Sequence, residues 1–397
     1  MTVVGEARVA HDRSSFSVEV CTEAGRFGAL APEWGRLHAR CRTATPFQSH
    51  AWLHSWWLSY GVNGRLRVVL VRRDGELVAA APLMLTYRPF RVLVPLGGRI
   101  SDYKDVLLDD TCVPEAAHAL VTAVRETAGG ALVDLREVRP GGAAELLLTH
   151  WPGARATLPD STCLELPAAP MDDLLTRLAA NRAQRVRAKL RKIDALGVAE
   201  RPVPVAEVPT TLEALLSLHR MQWRGRGVTP EHVRPRFADH LTRSVRQMVA
   251  RGEAVVTEFR LEDKVVAVDL TLRAPSLTGA YLYGAHPGLR ARKVDVAALL
   301  LRACTRNAVS TTPAPSGSQT PSAPSTPSAS SVLSLLRGNE PYKHHWRPTP
   351  ALNHRYLLAR RSRWTPLVWW CVGYAGVRGR VAGGVRRLRG WRGGEAR

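Results

Sequence analysis

The sequence predicts an α+β protein built from two similar lobes, each a mixed, mainly antiparallel sheet flanked by helices. Two tight hairpins carry the expectation. One runs through 66–73 and 77–86 around Asp74-Gly75, the other through 253–261 and 265–273 around Glu262-Asp263-Lys264. Each follows helical segments and precedes a further strand and a helix, so the same order occurs twice. The third observation is a boundary: a strand at 162–166 ends at Pro167, and helical sequence follows. The expected division is 1–167 and 168–350, with a basic, Trp/Arg-rich tail at 351–397.

Alternation at 15–21 predicts a first strand, and 31–42 a helix. Ser49 is a candidate N-cap for a helix over 51–58, where Trp52 and Trp56, and Leu53 and Trp57, repeat at helical spacing. Strands at 91–96 and 131–135 flank a helix over 114–127, whose Pro114 fits a first turn. In the second half, 171–196 reads as one long basic helix stopped by Gly197. Helices over 211–223 and 237–250 follow, and after the hairpin come a strand at 278–285 and a helix over 293–309. The segment 311–330 holds only Ser, Thr, Pro, Ala, Gly and Gln. It has too little apolar surface to order itself and reads as a disordered insertion.

With 397 residues, 45% hydrophobic and 23% charged, the chain can bury a large core. Its net charge of +22 favours polyanionic partners: nucleic acid, anionic lipid or a phosphorylated ligand. From Ala351 onward there are eleven Arg, no Lys and one acid, Glu395, about half of the excess. The six cysteines form no CxxC pair and no His cluster has zinc spacing, so reduced thiols and no metal are expected. The N-terminus lacks a secretory pattern, and no stretch reaches the roughly 18 apolar residues that span a bilayer. A cytoplasmic protein is expected. The segment 364–374, rich in Trp and followed by Arg, is composed like an interfacial anchor, which adds peripheral contact with an anionic membrane.

Five segments carry a family resemblance, in chain order. They are Thr45-Pro46-Phe47-Gln48 with its Trp helix, Ser101-Asp102-Tyr103, Leu218-His219 with Gln222-Trp223-Arg224-Gly225, Tyr283-Gly284, and Leu335-Leu336-Arg337-Gly338-Asn339-Glu340-Pro341-Tyr342-Lys343-His344-His345-Trp346. Together they resemble the two-lobed branch of the GNAT superfamily, the CelD-like and Fem-type transferases. The resemblance implies two GNAT-like lobes in which a pair of strands splays to admit the pantetheine arm of an acyl-CoA. The diphosphate is then expected at the start of the next helix. It also implies acyl transfer to an amine or hydroxyl of a sugar, polysaccharide precursor or small metabolite, with acetyl-CoA first among donors. Aminoacyl transfer from charged tRNA is the alternative from the same fold, and a degenerate scaffold on membrane or nucleic acid is the other. Three departures stand out, the first being that the Ser/Pro-rich segment 311–330 replaces the family's short helix-to-strand connection. Ser334 occupies the place of the family's Asp before Leu-Leu-Arg-Gly, and the loop 286–293 lacks the usual run of glycines.

Acyl transfer needs a proton acceptor, stabilisation of the oxyanion and a grip on the donor. Asp102, His219 and Asp269 are the candidate catalytic residues. Asp102 follows Gly97-Gly98 in a loop and either accepts a proton or caps turn amides. His219 shares a helix face with Trp223 and titrates near neutrality, or is a satisfied, partly buried histidine. Asp269 lies in a strand and lines a cleft or faces water. Gly288, Arg290, Arg292 and Lys293 are candidates to hold the cofactor phosphates. Tyr103, Trp223, Tyr283, Arg337, Tyr342 and Lys343 are candidates for substrate binding, Arg337 offering either a bidentate grip or a latch between elements. The seven cations of 171–196, Arg177, Arg182, Arg185, Arg187, Lys189, Arg191 and Lys192, track a phosphate backbone or form a solvated face.

Overall fold

The computed structural model describes residues 16–87, 90–222, 229–309 and 332–360. The expectations for Trp223, for the segment 311–330 and for the aromatic part of the tail lie outside the described residues.

The first half opens with β1 (Phe16–Cys21), the short helices α1 (Ala24–Ala29) and α2 (Ala31–Ala39), and the Trp-bearing α3 (His50–Tyr60). The hairpin of β2 (Leu66–Arg73) and β3 (Glu76–Tyr87) turns on Asp74 and Gly75, left-handed at φ 51° and 83°. A two-residue turn matched to strand twist requires that conformation. β4 (Arg91–Pro95), β5 (Leu107–Leu108), α4 (Val113–Ala128), β6 (Leu132–Val138) and α5 (Ala144–His150) complete this half. The second half contains β7 (Arg155–Pro167), α6 (Met171–Thr176), α7 (Ala180–Ala195), β8 (Ala199–Pro202), α8 (Val208–Gln222) and α9 (Pro235–Ala250). Then come β9 (Ala254–Leu261), β10 (Lys264–Arg273), β11 (Leu277–Ala285), the one-turn α10 (Gly288–Ala291) and α11 (Val296–Val309). β12 (Val332–Arg337), α12 (Pro341–His344) and β13 (Thr349–Leu358) close the described chain.

The sequence predicts a sheet in each lobe; the structure has one sheet through both halves, in the order β1-β2-β3-β4-β6-β13-β7-β12-β11-β10-β9-β8, with β5 on β3. The reason is the pair β7 and β13. They pair with each other from Thr349–Glu165 to Leu358–Arg155, while β13 also pairs β6 and β7 also pairs β12. Residues 351–358, assigned to the tail from sequence, therefore lie inside the sheet. A second difference is the break of 171–196 into α6 and α7. The turn between them lets Met171, Leu174, Leu175 and Leu178 all reach the core against α11.

Helices cover both faces. α3, α8 and α9 share one core that spans both halves, in which Trp52 of α3 meets His240 of α9 at 4.5 Å between ring centroids. α4 and α5 cover the opposite face in the first half, and α6, α7 and α11 do so in the second. Gly284 lets α8 lie close on β11: a Cβ there would stand 2.5 Å from the Leu215 carbonyl oxygen and 2.6 Å from the His219 nitrogen. Gly284→Ala is expected to destabilise the fold by about 1–3 kcal/mol through overpacking. The measurement is a lower urea midpoint at unchanged m.

Candidate active site

β11 and β12 run parallel, pair at Leu277–Val332, Thr278–Leu333 and Gly279–Ser334, and then separate. Each strand is irregular at the parting point. Against β10 the register steps from Leu270–Leu282 to Thr271–Ala280, so Tyr281 is an extra residue, a β-bulge that bends β11 away. In β12, Leu336 has φ 58°, and the pairing with β7 steps from Ser334 to Arg337. The gap widens into a cleft of about 720 Å³. Its walls come from both faces of the sheet. Ile100, His219, Tyr281 and Leu282 belong to the α8 face; Asp269, Tyr283, Leu300, Leu301, Cys304 and Leu335 belong to the α11 face.

On the α8 face, the His219 Nδ1–H donates to the Tyr283 carbonyl at 2.8 Å, and His219 Nε2 lies 3.3 Å from His232 Nδ1. A carbonyl only accepts, so the proton is assigned to Nδ1 of His219 and a lone pair to its Nε2. His232 sits in a 3₁₀ turn, Pro230–Val233, and stacks on Phe237 at 4.6 Å between centroids. Burial lowers the pKa of both histidines, His232 to about 4. Gln222, at the end of α8, accepts from the Ala285 N–H at 3.0 Å. On the α11 face Asp269 is 2% exposed, in the cleft wall and away from bulk water. It accepts from Thr271 Oγ1 at 2.7 Å and from Cys304 Sγ at 3.6 Å. Burial raises its pKa to about 6.

The loop 97–105 forms a third wall. Trp52 Nε1 donates to Ser101 Oγ at 2.8 Å, Ser101 Oγ donates to the Gly97 carbonyl at 3.1 Å, and Tyr281 donates to the Ile100 carbonyl at 3.0 Å. Gly97 and Gly98 have φ of 96° and 54°, and a Cβ on Gly98 would stand 2.9 Å from the Trp56 ring. Asp102 lines the cleft, but its carboxylate accepts from Arg337 Nε. The remaining Arg337 donors reach Glu137 at 3.2 Å and the carbonyls of Arg99 and Ser101 at 2.7 and 3.2 Å. The guanidinium thus has the geometry of a latch from β12 to the loop and β6. Lys343 closes the turn at Gly338, its Nζ donating to the Arg337 carbonyl at 2.9 Å and pairing with Glu340 at 2.9 Å.

Of the residues singled out from sequence, Asp102, His219, Asp269, Tyr283, Arg337, Tyr342 and Lys343 meet around this cleft. Tyr103 lies behind its wall, 1% exposed, with its hydroxyl donating to Glu165 at 2.9 Å and 2.9 Å from Ser334 Oγ. Glu165, gripped by Arg139 at 2.8 and 2.9 Å, is the register partner of Ser334. Its carboxylate stands beside the position where the family pattern has Asp. Gly288, Arg290, Arg292 and Lys293 make α10 and its exit, and none lines the cleft. Arg292 pairs with Glu262 at 3.0 Å, and Gly288 N–H donates to His286 Nδ1 at 3.1 Å. The first turn of α11 is capped by its own acid: Asp295 accepts from the Ala298 N–H at 3.1 Å and pairs with Lys189 at 2.7 Å. His232 and Cys304 were not singled out, since a loop histidine and a helix cysteine carry no periodic signal. Among the described residues no group of His, Cys, Asp and Glu could hold a metal ion, and no helix is long and apolar enough to cross a membrane.

Splayed parallel strands with a cleft between them, flanked by helices on both faces, are the layout that the resemblance implies. Residues 180–313, which contain α8, β9 to β11 and α11, match the family model described as an acetyltransferase (GNAT) domain. Residues 180–313 thus form a GNAT-type acyltransferase domain. FemX is similar in structure at 12% identity and a TM-score of 0.56, with 83% of this chain and 96% of FemX covered. A conserved protein of unknown function from Bacteroides thetaiotaomicron VPI-5482 is similar at 11% identity and a TM-score of 0.53, with 86% and 100% covered. At such identity the likeness is one of fold. No curated protein matches the sequence.

Arg337→Met is expected to cost about 3 kcal/mol, because it leaves the mostly buried carboxylates of Asp102 and Glu137 without their counter-charge. Urea unfolding measures the loss, and Arg337→Lys, which keeps the charge without the fork, should recover only part of it.

Proposed function

We propose that the protein moves an acyl group from an acyl-CoA, acetyl-CoA first among donors, to an amine or hydroxyl of a sugar, polysaccharide precursor or other small metabolite. The observation that carries this reading is the cleft where β11 and β12 part, lined by residues of both faces of the sheet. Ala297, Leu300 and Leu301 give an apolar wall suited to a pantetheine arm, with the thioester carbonyl reaching the opening beside Ala280. The acceptor approaches from the α8 face. Its lone pair attacks the thioester carbonyl carbon, the C–S bond breaks, and the electron pair leaves on sulfur, which is protonated to the free thiol. Backbone N–H groups on the edge of β11 that β12 has left are the donors available to the oxyanion.

The proton lost by the acceptor goes to Nε2 of His232. His219 and the Tyr283 carbonyl orient that imidazole and share its charge through Nδ1–H donors in series, which is the logic of a base held by a third group. Glu231, in the same turn, adds a nearby negative charge.

The test is thiol release from acetyl-CoA in the presence of an amino-sugar and polyamine panel, together with thermal stabilisation by acyl-CoA. Ala280→Phe, which fills the opening, should abolish turnover. His232→Ala should lower the acceptor-dependent rate about 10²–10⁴-fold while donor binding persists. Neutral imidazole is the active form, so a pKa lowered to about 4 keeps it competent well below the usual histidine range. The rate should be flat through neutrality and fall only below about pH 5. Stabilisation by tRNA, with neither stabilisation nor thiol release from any acyl-CoA, would overturn the reading.

A further inference from the structure

A second cavity, of about 300 Å³, adjoins the cleft and shares Ala297 and Tyr342 with it. Its chemistry differs from that of the cleft. Arg182, Arg185 and Lys189 of α7 all line it, at spacings of three and four that place them on one stripe of the helix. Arg187, Arg191 and Lys192, on the rest of α7, do not line it. Lys189 is committed to Asp295, the one acid in the lining. Among the described residues neither Arg182 nor Arg185 has a carboxylate within ion-pair distance, and Arg185 Nε only donates back to its own helix, to the Asn181 carbonyl at 3.3 Å. Facing the stripe are Tyr342, half-buried, and Trp346, 6% exposed.

We infer that this side cavity holds the nucleotide end of the donor, its phosphates on Arg182 and Arg185 and its base against Tyr342 and Trp346; the inference rests on the acyl-CoA reading above. Unpaired guanidinium groups bind phosphate by charge-assisted, bidentate contacts, and aromatic rings accept a flat base. The arm then runs between Ala297 and Tyr342 into the apolar cleft. This arrangement takes the phosphate-binding role away from the loop carrying Arg290 and Arg292, which lines neither cavity. It also explains how a helix whose first turn is capped by Asp295 can stand beside a phosphate: the positive charge comes from α7.

Calorimetric titration with coenzyme A, dephospho-coenzyme A and S-acetylpantetheine tests it on the full chain. Arg182→Gln with Arg185→Gln should weaken coenzyme A about 100-fold and make its affinity less sensitive to salt, with S-acetylpantetheine unchanged. Arg182→Lys with Arg185→Lys should restore part of the affinity, and the doubly substituted α7 should keep the wild-type unfolding midpoint because Arg185 is exposed and Arg182 half-exposed. Arg290→Gln with Arg292→Gln should leave coenzyme A affinity as it is. Wild-type affinity in the α7 variant, or a loss confined to the Arg290/Arg292 variant, overturns the assignment while the proposed activity stands. Failure of the wild-type protein to bind any of the three ligands overturns the acyl-CoA reading itself.

Discussion

The early parting of β11 and β12 is the constraint from which the rest of the molecule follows. Only three residue pairs hold these strands together before the bulge at Tyr281 and the left-handed Leu336 turn them apart. A split inside a sheet exposes backbone groups that burial makes expensive to leave unpaired. Here α8 takes up two of them, through His219 on the Tyr283 carbonyl and Gln222 on the Ala285 N–H. That repair works only because α8 lies on β11 without an intervening side chain at Gly284. The residue proposed to orient the catalytic base is therefore also one that makes the opening tolerable.

The other side of the split is held by polar contacts between halves. Arg337 ends β12 by binding Asp102 and Glu137, and Asn353 of β13 donates to the Asp102 carbonyl at 3.1 Å, to Glu137 at 3.2 Å and to Ser161 at 3.2 Å. Next to this network runs a chain from the Leu336 N–H through Ser334, Tyr103 and Glu165 to Arg139. The only carboxylate in that chain belongs to Glu165 of the adjacent strand, and Ser334 meets it through the Tyr103 hydroxyl. Beside Ser334 the carboxylate of this wall stands one strand away, on β7.

Local chemistry made much of this legible. The Asp74-Gly75 turn, the Trp repeat after Ser49 and the order of hairpin, strand and helix are properties of short windows, and the structure shows each of them. The residues around the Gly338 turn could be found because they sit in a specific run. β13 could not. Its centre is Asn353, His354 and Arg355, polar residues that look like surface until Arg355 is seen clamped to Asp134 at 2.7 and 2.8 Å, in a strand set between two that precede it by many residues. The cations of α7 posed the same difficulty. Spacing reveals the stripe, but only packing against α11 and α12 shows that Arg182 and Arg185 face a cavity while Arg187 does not. Non-local pairing and the partner of a charge are facts about the fold that no window of sequence contains.

The first half repeats the parallel pair and uses it differently. β4 and β6 pair at Val92–Leu132 and Leu93–Val133 only. Beyond that point the loop 97–105 crosses the gap, and its Lys104 N–H donates to the Glu137 carbonyl at 2.9 Å. The bridged gap presents Arg99, Ile100 and Asp102 outward, and these residues wall the cleft of the second half. The two halves therefore build one site between them, with the loop that spans one split completing the other. On the proposed reading, the donor touches only the second half, through α7, α11 and β11. The acceptor meets Arg99, Ile100 and Asp102 from the first half, and Glu231, His232, Arg234 and Arg337 from the second. Acceptor choice then draws on both halves, and the side chains of Arg99 and Ile100 can change it, since Arg337 and Tyr281 hold these two residues by their carbonyls.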